Sequence, residues 1–222
     1  MGMLMRLAED PTGAAVLDAV PCYPVPPVGR SPAIDALRTA RASHGFAIGA
    51  DGMMLILRRP WLKLDYRVTE GPECHAPYGE AGPDAVLLRC GLVPGALLNQ
   101  ILDHFRQALP NEDAAFVLWN ERTGEFSIDF PVIERATPSR LVYRTPQPEP
   151  DCHIVCDLHS HGTGAAFFSA TDDADDRNST KVAIVVGRLG RPGAPSFAAR
   201  LCAGGMFLTL PGLPFAEARD AD

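Results

Sequence analysis

Two histidines, a serine and an aspartate follow one another at short spacing near residue 160. The segment runs Asp157-Leu-His-Ser-His-Gly-Thr-Gly-Ala-Ala-Phe-Phe-Ser-Ala-Thr-Asp172. Two imidazoles and a carboxylate are ligand types that zinc prefers, and three protein ligands leave a fourth tetrahedral position for water or substrate. The pattern therefore predicts a catalytic zinc site with one ion per chain, held by His159, His161 and Asp172.

The residues before the histidines predict the element that positions them. Cys152 to Leu158 is apolar and β-branched, which is typical of a buried strand. Because side chains alternate between the faces of a strand, His159 and His161 point the same way. A lone histidine on an apolar strand is more often a core residue, but the Ser and Asp that follow in register favour the metal site. Asp157 shares this face, where it either orients His159 through a hydrogen bond or forms a surface salt bridge.

Hydrolysis at such a site also needs a group that takes a proton from water and passes it to the departing amine. We select Glu112, which lies at a helix-to-strand junction before a strand that can lie beside the histidine strand. Ser169 can donate its hydroxyl to the developing oxyanion, cap the helix that follows it, or do both in turn. The rival carboxylates, in a turn or at the edge of a predicted hairpin, are Glu121, Glu125 and Glu134.

Composition limits the class of protein. The chain has 222 residues, of which 46% are hydrophobic and 21% charged, so it can form one large domain or two small ones. A formal charge of −7 with scattered basic residues argues against nucleic-acid binding. No apolar run is long enough for a membrane span. Six cysteines without a Cys-x-x-Cys pair, and no signal peptide, predict a reduced, cytoplasmic protein.

The N-terminal part of the chain predicts a small β-rich region. After a proline-rich, irregular lead-in over residues 1–32, Ser31 caps a helix from Pro32 to about Ala42. The Asp51-Gly52 pair predicts a hairpin turn between two apolar runs, and a half-buried strand follows from Trp61 to Val68. Gly and Pro over residues 69–85 predict a linker. It contains Cys74 and His75, for which metal binding is the minor interpretation.

The C-terminal part predicts a helix and a series of strands. Pro94 to Leu109 carries an apolar stripe at helical spacing, with His104 on the surface away from it. Carboxylates near Asp173 predict a short helix or turn, and the last ten residues are expected to fray. The predicted strands are 86–90, 114–119, 125–134, 140–144, 152–158, 181–186, 196–202 and 206–210. The predicted domains are 1–92 and 93–212, with a tail over 213–222.

A distant glutamate followed by His-Ser-His, seven residues, Ser, two residues and Asp resembles the JAMM or MPN family of zinc-dependent peptidases. The resemblance implies His159, His161 and Asp172 as zinc ligands, Glu112 as general acid and base, and Ser169 as oxyanion donor. It also implies an α+β fold, in which a curved, mainly antiparallel sheet is flanked by helices. The order of elements over residues 93–212 agrees with that fold, and a small β-rich region precedes it.

Further segments are similar to the protein A family of the PRTRC genetic system. They are Arg59-Pro-Trp-Leu62, Ala108-Leu-Pro-Asn-Glu112, Asp157-Leu-His-Ser-His-Gly162 and Phe167-Phe-Ser-Ala-Thr-Asp-Asp173. A ThiF-like adenylating enzyme of that system activates the C-terminus of a ubiquitin-like protein. The resemblance therefore implies a ubiquitin-like or sulfur-carrier-like small protein as partner, with cleavage at its C-terminal tail or an isopeptide linkage.

The sequence departs from the common family pattern at three places. Gly162 and Phe168 stand where many members have Pro, and eight residues separate Asp172 from Lys181 where deubiquitinating relatives carry an insertion. We therefore expect a different loop shape and substrate groove. Three hypotheses follow: a zinc metallopeptidase or isopeptidase, a non-catalytic MPN-type scaffold that binds protein, and a small-molecule amidohydrolase linked to sulfur-carrier chemistry.

Overall fold

The chain divides into an N-terminal unit, Met1–Arg89, and a C-terminal unit, Cys90–Asp222. The computed structural model describes residues 20–71, 77–190, 193–210 and 212–217. Cys74 and His75, the minor candidates for a metal pair, lie outside the described residues. Among the described residues, no helix has both the length and the apolar character that crossing a bilayer requires.

In the part of the N-terminal unit that the structure describes, the chain forms a five-stranded sheet with one helix. Its strands are β1 (Cys22–Pro24), β2 (Ser43–Gly49), β3 (Gly52–Arg59), β4 (Leu62–Glu70) and β5 (Ala85–Leu88), in that spatial order. Helix α1 (Pro32–Thr39) begins as predicted, because the Ser31 side chain accepts a hydrogen bond from the Ile34 amide. The predicted hairpin at Asp51-Gly52 joins β2 and β3, where Gly52 adopts a φ of 126°.

The predicted linker over residues 69–85 belongs to the N-terminal unit instead. Ala81 is buried, and its amide donates to the Asp51 carboxylate at 2.7 Å. Gly79 exchanges backbone hydrogen bonds with Val25 and Ala50. The described part of this glycine- and proline-rich segment therefore packs on the N-terminal sheet. The lead-in was also expected to be irregular, yet β1 pairs with β2 in parallel.

The described residues of the C-terminal unit form two sheets and two helices. The helices are α2 (Gly95–Ala108) and α3 (Ala170–Asp176). The strands are β6 (Ala114–Asn120), β7 (Phe126–Asp129), β8 (Ile133–Thr137), β9 (Arg140–Tyr143), β10 (Cys152–Ser160), β11 (Lys181–Gly187), β12 (Ser196–Ala203) and β13 (Met206–Thr209). Six of them form a sheet in the order β13-β12-β11-β10-β6-β7, and β8 pairs with β9 alone. Pairing is antiparallel throughout except between β10 and β11.

One expectation for this unit was wrong, and a second was wrong for the described residues. The strand predicted over residues 125–134 is two strands, β7 and β8, which separate around Pro131 because proline has no amide hydrogen for a ladder. The tail was expected to fray, but the Val93 amide donates to Pro214 and the Ala216 amide donates to Val93. The tail is therefore hydrogen-bonded at Pro214 and Ala216 to Val93, two residues before α2, and residues 218–222 lie outside the described part of the chain.

The centre of the larger sheet positions the candidate site. Strand β10 lies between β6 and β11, and its register with β6 shifts once, between Ile154 and Cys156. Beyond that irregularity the pairing is regular and ends with His159 opposite Ala114. Leu158 and Ile184 are fully buried. The apolar core therefore holds the carboxyl end of β10 beside the start of β6.

Candidate metal centre

His159 and His161 lie at the carboxyl end of β10 and face the same way. The His161 amide donates to the Val186 carbonyl at 2.8 Å, which continues the pairing with β11 one residue beyond the strand. The two Nε2 atoms are 3.3 Å apart. The alternation predicted from the strand therefore brings both ring nitrogens to one point.

Asp172 reaches the same point from the first turn of α3. Its Oδ2 accepts hydrogen bonds from the Ser169 amide at 2.6 Å and the Ser169 hydroxyl at 2.7 Å. Its Oδ1 lies 3.4 Å from His159 Nε2. One carboxylate oxygen is thus held by the helix cap, and the other faces the imidazoles.

The spacing of these donor atoms fits a zinc ion. Two ligand atoms about 2.0 to 2.1 Å from zinc at the tetrahedral angle lie roughly 3.3 Å apart. The nitrogen–nitrogen distance of 3.3 Å and the nitrogen–oxygen distance of 3.4 Å match that value. His161 Nδ1 is 3.1 Å from the Ala165 carbonyl oxygen. A donated hydrogen bond there assigns the proton to Nδ1, so that the Nε2 lone pair is left for a metal.

The protonation states of two ligands suit metal binding. Burial lowers the pKa of His159, and the nearby Asp172 carboxylate opposes this shift only in part. The imidazole is therefore neutral near pH 7. Burial acts to raise the pKa of Asp172, but hydrogen bonds from the Ser169 hydroxyl and amide lower it overall. A neutral imidazole and an ionised carboxylate are the forms that bind a cation.

Glu112 lies between α2 and β6 and lines the same cavity, of about 900 Å³, as the three metal-site side chains. Its amide donates to the Thr137 carbonyl at 3.0 Å. Burial raises the pKa of Glu112; His161 opposes this effect, and Asp172 adds to it. A raised pKa brings a carboxyl group closer to the range useful for general acid–base catalysis.

None of the rival glutamates lines this cavity. Glu121 follows the far end of β6, about 20 Å along the strand from the end that pairs with His159. Glu134 forms an exposed ion pair with Arg144, and Glu125 is exposed. The structure therefore brings Glu112, and not its rivals, to the candidate metal centre.

Ser169 is the N-cap of α3 and forms a capping box with Asp172. Its hydroxyl oxygen accepts from the Asp172 amide at 3.3 Å while its proton goes to Asp172 Oδ2. The capping role is therefore observed. To donate to a substrate oxyanion, the Ser169 hydroxyl must rotate away from Asp172 Oδ2. The carboxylate oxygen would then still accept the hydrogen bond from the Ser169 amide.

Two features of the site were not predicted. Ser160 is completely buried, and its hydroxyl accepts from the Asp113 amide at 3.0 Å while its own amide donates to the Asp113 carbonyl at 2.9 Å. His104 was expected to have a surface role, but it contacts Asp113 at 3.0 Å and stacks on Phe130. The segment that carries Glu112 is thus held from two sides, by partners that no local pattern indicates.

Asp157 is buried and salt-bridged to Lys181, and it accepts a hydrogen bond from the Tyr143 hydroxyl at 3.2 Å. The salt-bridge interpretation is therefore correct, although the pair is buried rather than on the surface. Burial raises the pKa of Asp157, and Lys181 opposes the rise.

Gly162 shows why the loop after His161 departs from the family pattern. Its φ is 53°, a conformation closed to proline, whose ring fixes φ near −65°. The carbonyls of Gly162 and Gly164 accept from the amides of Leu189 and Arg188. The loop is therefore attached to the segment that follows β11.

Two family models match parts of the chain. Residues 94–201 match a family model described as prokaryotic homologs of the JAB domain, and residues 10–89 match one described as a domain of unknown function (DUF2016). No curated protein matches the chain. The α+β structure of the C-terminal unit is consistent with a JAB/MPN-like fold, which a β-rich region precedes. Domains of this kind often bind zinc and include hydrolases.

Proposed function

We propose that the C-terminal unit is a zinc-dependent metallopeptidase or isopeptidase that hydrolyses an amide bond. His159, His161 and Asp172 would hold the ion. Bound zinc would lower the pKa of a coordinated water molecule and polarise the carbonyl group of the substrate. The observation that carries the proposal is the convergence of these donor atoms in a cavity that Glu112 also lines.

The protein's own side chains supply the remaining chemistry. The Glu112 carboxylate accepts a proton from the attacking water and then donates it to the nitrogen of the departing amine. Ser169 donates its hydroxyl to the oxyanion as the carbonyl carbon becomes tetrahedral. Both residues lie on the wall of the cavity that holds the metal ligands.

Substitution of Glu112 by Gln tests this assignment. Since glutamine is nearly isosteric but cannot accept the proton, Glu112→Gln should lower kcat by a factor of about 10² to 10⁴ without loss of zinc. Turnover and zinc content are measured on the same preparation. The matched control is Glu125→Gln, which removes an exposed carboxylate outside the cavity. Wild-type turnover by the Glu112 variant would exclude its role as acid and base.

For the substrate, we propose the C-terminal tail or an isopeptide linkage of a ubiquitin-like or sulfur-carrier-like protein. The resemblance to the PRTRC protein A family supports this choice, and it also suggests a ThiF-like adenylating enzyme as a partner. The test is cleavage of a ubiquitin-like protein carrying a C-terminal extension, followed by mass spectrometry of the new terminus. An intact fusion in the presence of zinc-loaded protein would contradict this substrate class.

A small-molecule amidohydrolase is the second candidate. The cavity of about 900 Å³ lies within the range of roughly 300 to 1,000 Å³ that small-molecule sites occupy. Hydrolysis of a short acylated amino acid, with the ubiquitin-like fusion left intact, would favour this function. Zinc binding without hydrolysis of either substrate would favour the non-catalytic scaffold.

A further inference from the structure

Helix α3 supplies Asp172 but is poorly suited to form by itself. It has seven residues, and four of them are aspartates. Isolated helices shorter than about 12 residues are marginal in water. Its last turn contains no basic residue, and Asp175 and Asp176 place negative charge at the end where the helix dipole disfavours it. The helix therefore depends on tertiary contacts.

Arg200 on β12 provides the largest set of those contacts. Its guanidinium bonds Asp176 Oδ2 at 2.6 and 3.2 Å, and Asp173 Oδ1 at 2.5 Å. Lys181 contacts the other oxygen of Asp176 at 2.8 Å. Arg200 and Asp176 are 7% and 5% exposed. The network thus compensates buried charge on the side of α3 that faces the sheet.

The same guanidinium also contacts the residue before the helix cap. Its central carbon lies 3.8 Å from the ring centroids of both Phe168 and Phe207. Phe168 directly precedes Ser169, and Asp173 directly follows Asp172. One side chain therefore contacts the residues on both sides of the four-residue segment, 169–172, that forms the capping box.

We propose that Arg200 is a positioning residue for the metal ligand Asp172, an inference that rests on the proposed zinc site. By holding Phe168, Asp173 and Asp176, it fixes the rotation of α3 about its axis and the direction of the Asp172 carboxylate. A buried ion pair contributes little net stability on average. We therefore expect Arg200 to affect the orientation of the Asp172 carboxylate more than the stability of the fold. Groups that hydrogen-bond directly to a metal ligand typically change metal affinity about 10- to 100-fold. Arg200 acts through the neighbours of Asp172, so we expect an effect at the lower end of that range.

The variants Arg200→Met and Arg200→Lys test this role. We expect Arg200→Met to bind zinc about 10-fold more weakly in competition with a chelator. Cobalt substituted for zinc should show an altered visible spectrum, because the carboxylate ligand is displaced. Arg200→Lys should be intermediate, since an ammonium can pair with one carboxylate but lacks the planar fork that binds two and stacks on rings.

Arg58→Met is the matched control. Arg58 is 5% exposed and bonds Asp65 at 2.7 Å, so the variant loses a comparable buried ion pair, but in the N-terminal unit. It should lower the midpoint of thermal unfolding and leave zinc affinity unchanged. Asp173→Asn, whose side chain is 46% exposed, serves if Arg200→Met does not fold. It should weaken zinc binding several-fold.

The outcomes separate the two proposals. If wild-type protein binds zinc and the Arg200 and Asp173 variants bind it as tightly as Arg58→Met does, the positioning role is overturned while the proposed zinc site stands. If wild-type protein binds no zinc, the proposed function fails, and the positioning role fails with it. Weaker binding by Arg200→Met and Asp173→Asn, with unchanged binding by Arg58→Met, supports the inference.

Discussion

The Ser160 side chain links the two halves of the candidate site. It lies between the two histidines, so strand alternation directs it away from them, and it is completely buried. There its hydroxyl accepts the amide hydrogen of Asp113, the residue after Glu112. The His-Ser-His triplet therefore presents two imidazoles on one face and holds the Glu112 segment on the other.

Substitution of Ser160 by Ala should impair catalysis more than metal binding. It leaves the buried Asp113 amide without a partner, which costs about 1 to 3 kcal/mol of stability, and it releases the backbone beside Glu112. We expect kcat to fall about tenfold, equivalent to about 1.4 kcal/mol, with one zinc per chain retained. Kinetics and metal analysis on the same sample measure both effects.

Ser43→Ala is the control for this prediction. The Ser43 hydroxyl donates to the Leu37 carbonyl at 2.7 Å in the N-terminal unit. Its loss should change stability but not kcat. Equal kcat values for the two variants would show that the Ser160 hydroxyl does not position Glu112.

The sequence was sufficient to predict that His159, His161 and Asp172 converge, because the three side chains lie within 14 residues. Strand alternation and the helix cap are local properties, so spacing alone indicates that the groups can converge.

The partners of Asp157 and Asp113 were not predictable in this way. Lys181 is 24 residues from Asp157, and Ser160 is 47 residues from Asp113. Only the pairing of β6, β10 and β11 brings them together.

At the scale of elements, the loop after His161 depends on close packing against the end of β11. A Cβ atom at Gly187 would lie 2.4 Å from the Ala166 amide nitrogen and 2.6 Å from the Ala165 carbonyl carbon. Ala165 is the residue whose carbonyl oxygen faces His161 Nδ1. Gly187 therefore permits the approach that orients the second histidine.

Gly187→Ala should displace this loop and weaken metal binding. Since the obstructing atoms belong to the backbone, relief requires a shift of the loop, and we expect a loss of about 1 to 3 kcal/mol of stability from overpacking. Zinc affinity, measured by chelator competition, should fall about tenfold. Gly212→Ala, where a Cβ would meet nothing within 4 Å, should change neither property. Unchanged zinc affinity in Gly187→Ala would contradict this role for the loop.

Element existence was more predictable than element boundaries. The apolar stripe of α2 was confirmed by the burial of Ile101, Leu102 and Phe105, and the hairpin of β2 and β3 by its Asp51-Gly52 turn. The break between β7 and β8 was missed although Pro131 is visible in the sequence. The effect of a single proline depends on which ladder hydrogen bonds its missing amide hydrogen would have made, and these bonds are set by strand pairing.

At the scale of the whole molecule, the cysteines report on folding of the C-terminal unit. Cys156 on β10 and Cys202 on β12 are fully buried free thiols in the six-stranded sheet. Burial raises the pKa of Cys202 to about 12, and Asp176 adds to the effect. Burial likewise raises the pKa of Cys156. Both groups are therefore protonated and shielded near neutral pH.

Alkylation of Cys156 and Cys202 should require unfolding. At pH 8, a thiol with a pKa of about 12 has a thiolate fraction on the order of 10⁻⁴, and the thiolate is the reactive form. We expect iodoacetamide to leave both residues unmodified in native protein and to label them readily in denaturant, as peptide mass spectrometry would show. Raising the pH to 9 should not label them. Rapid labelling of native protein would contradict their burial.

The sequence by itself determined which side chains could bind zinc, that two histidines share one strand face, and most strands and helices, because these follow from local spacing and alternation. The tertiary structure decided which glutamate lines the same cavity as His159, His161 and Asp172, and how the acidic helix α3 is stabilised. It also decided that the residue 77–82 segment packs on the N-terminal sheet. Strand register and side-chain partners distant in sequence set these features, since they depend on how elements pack rather than on any one segment.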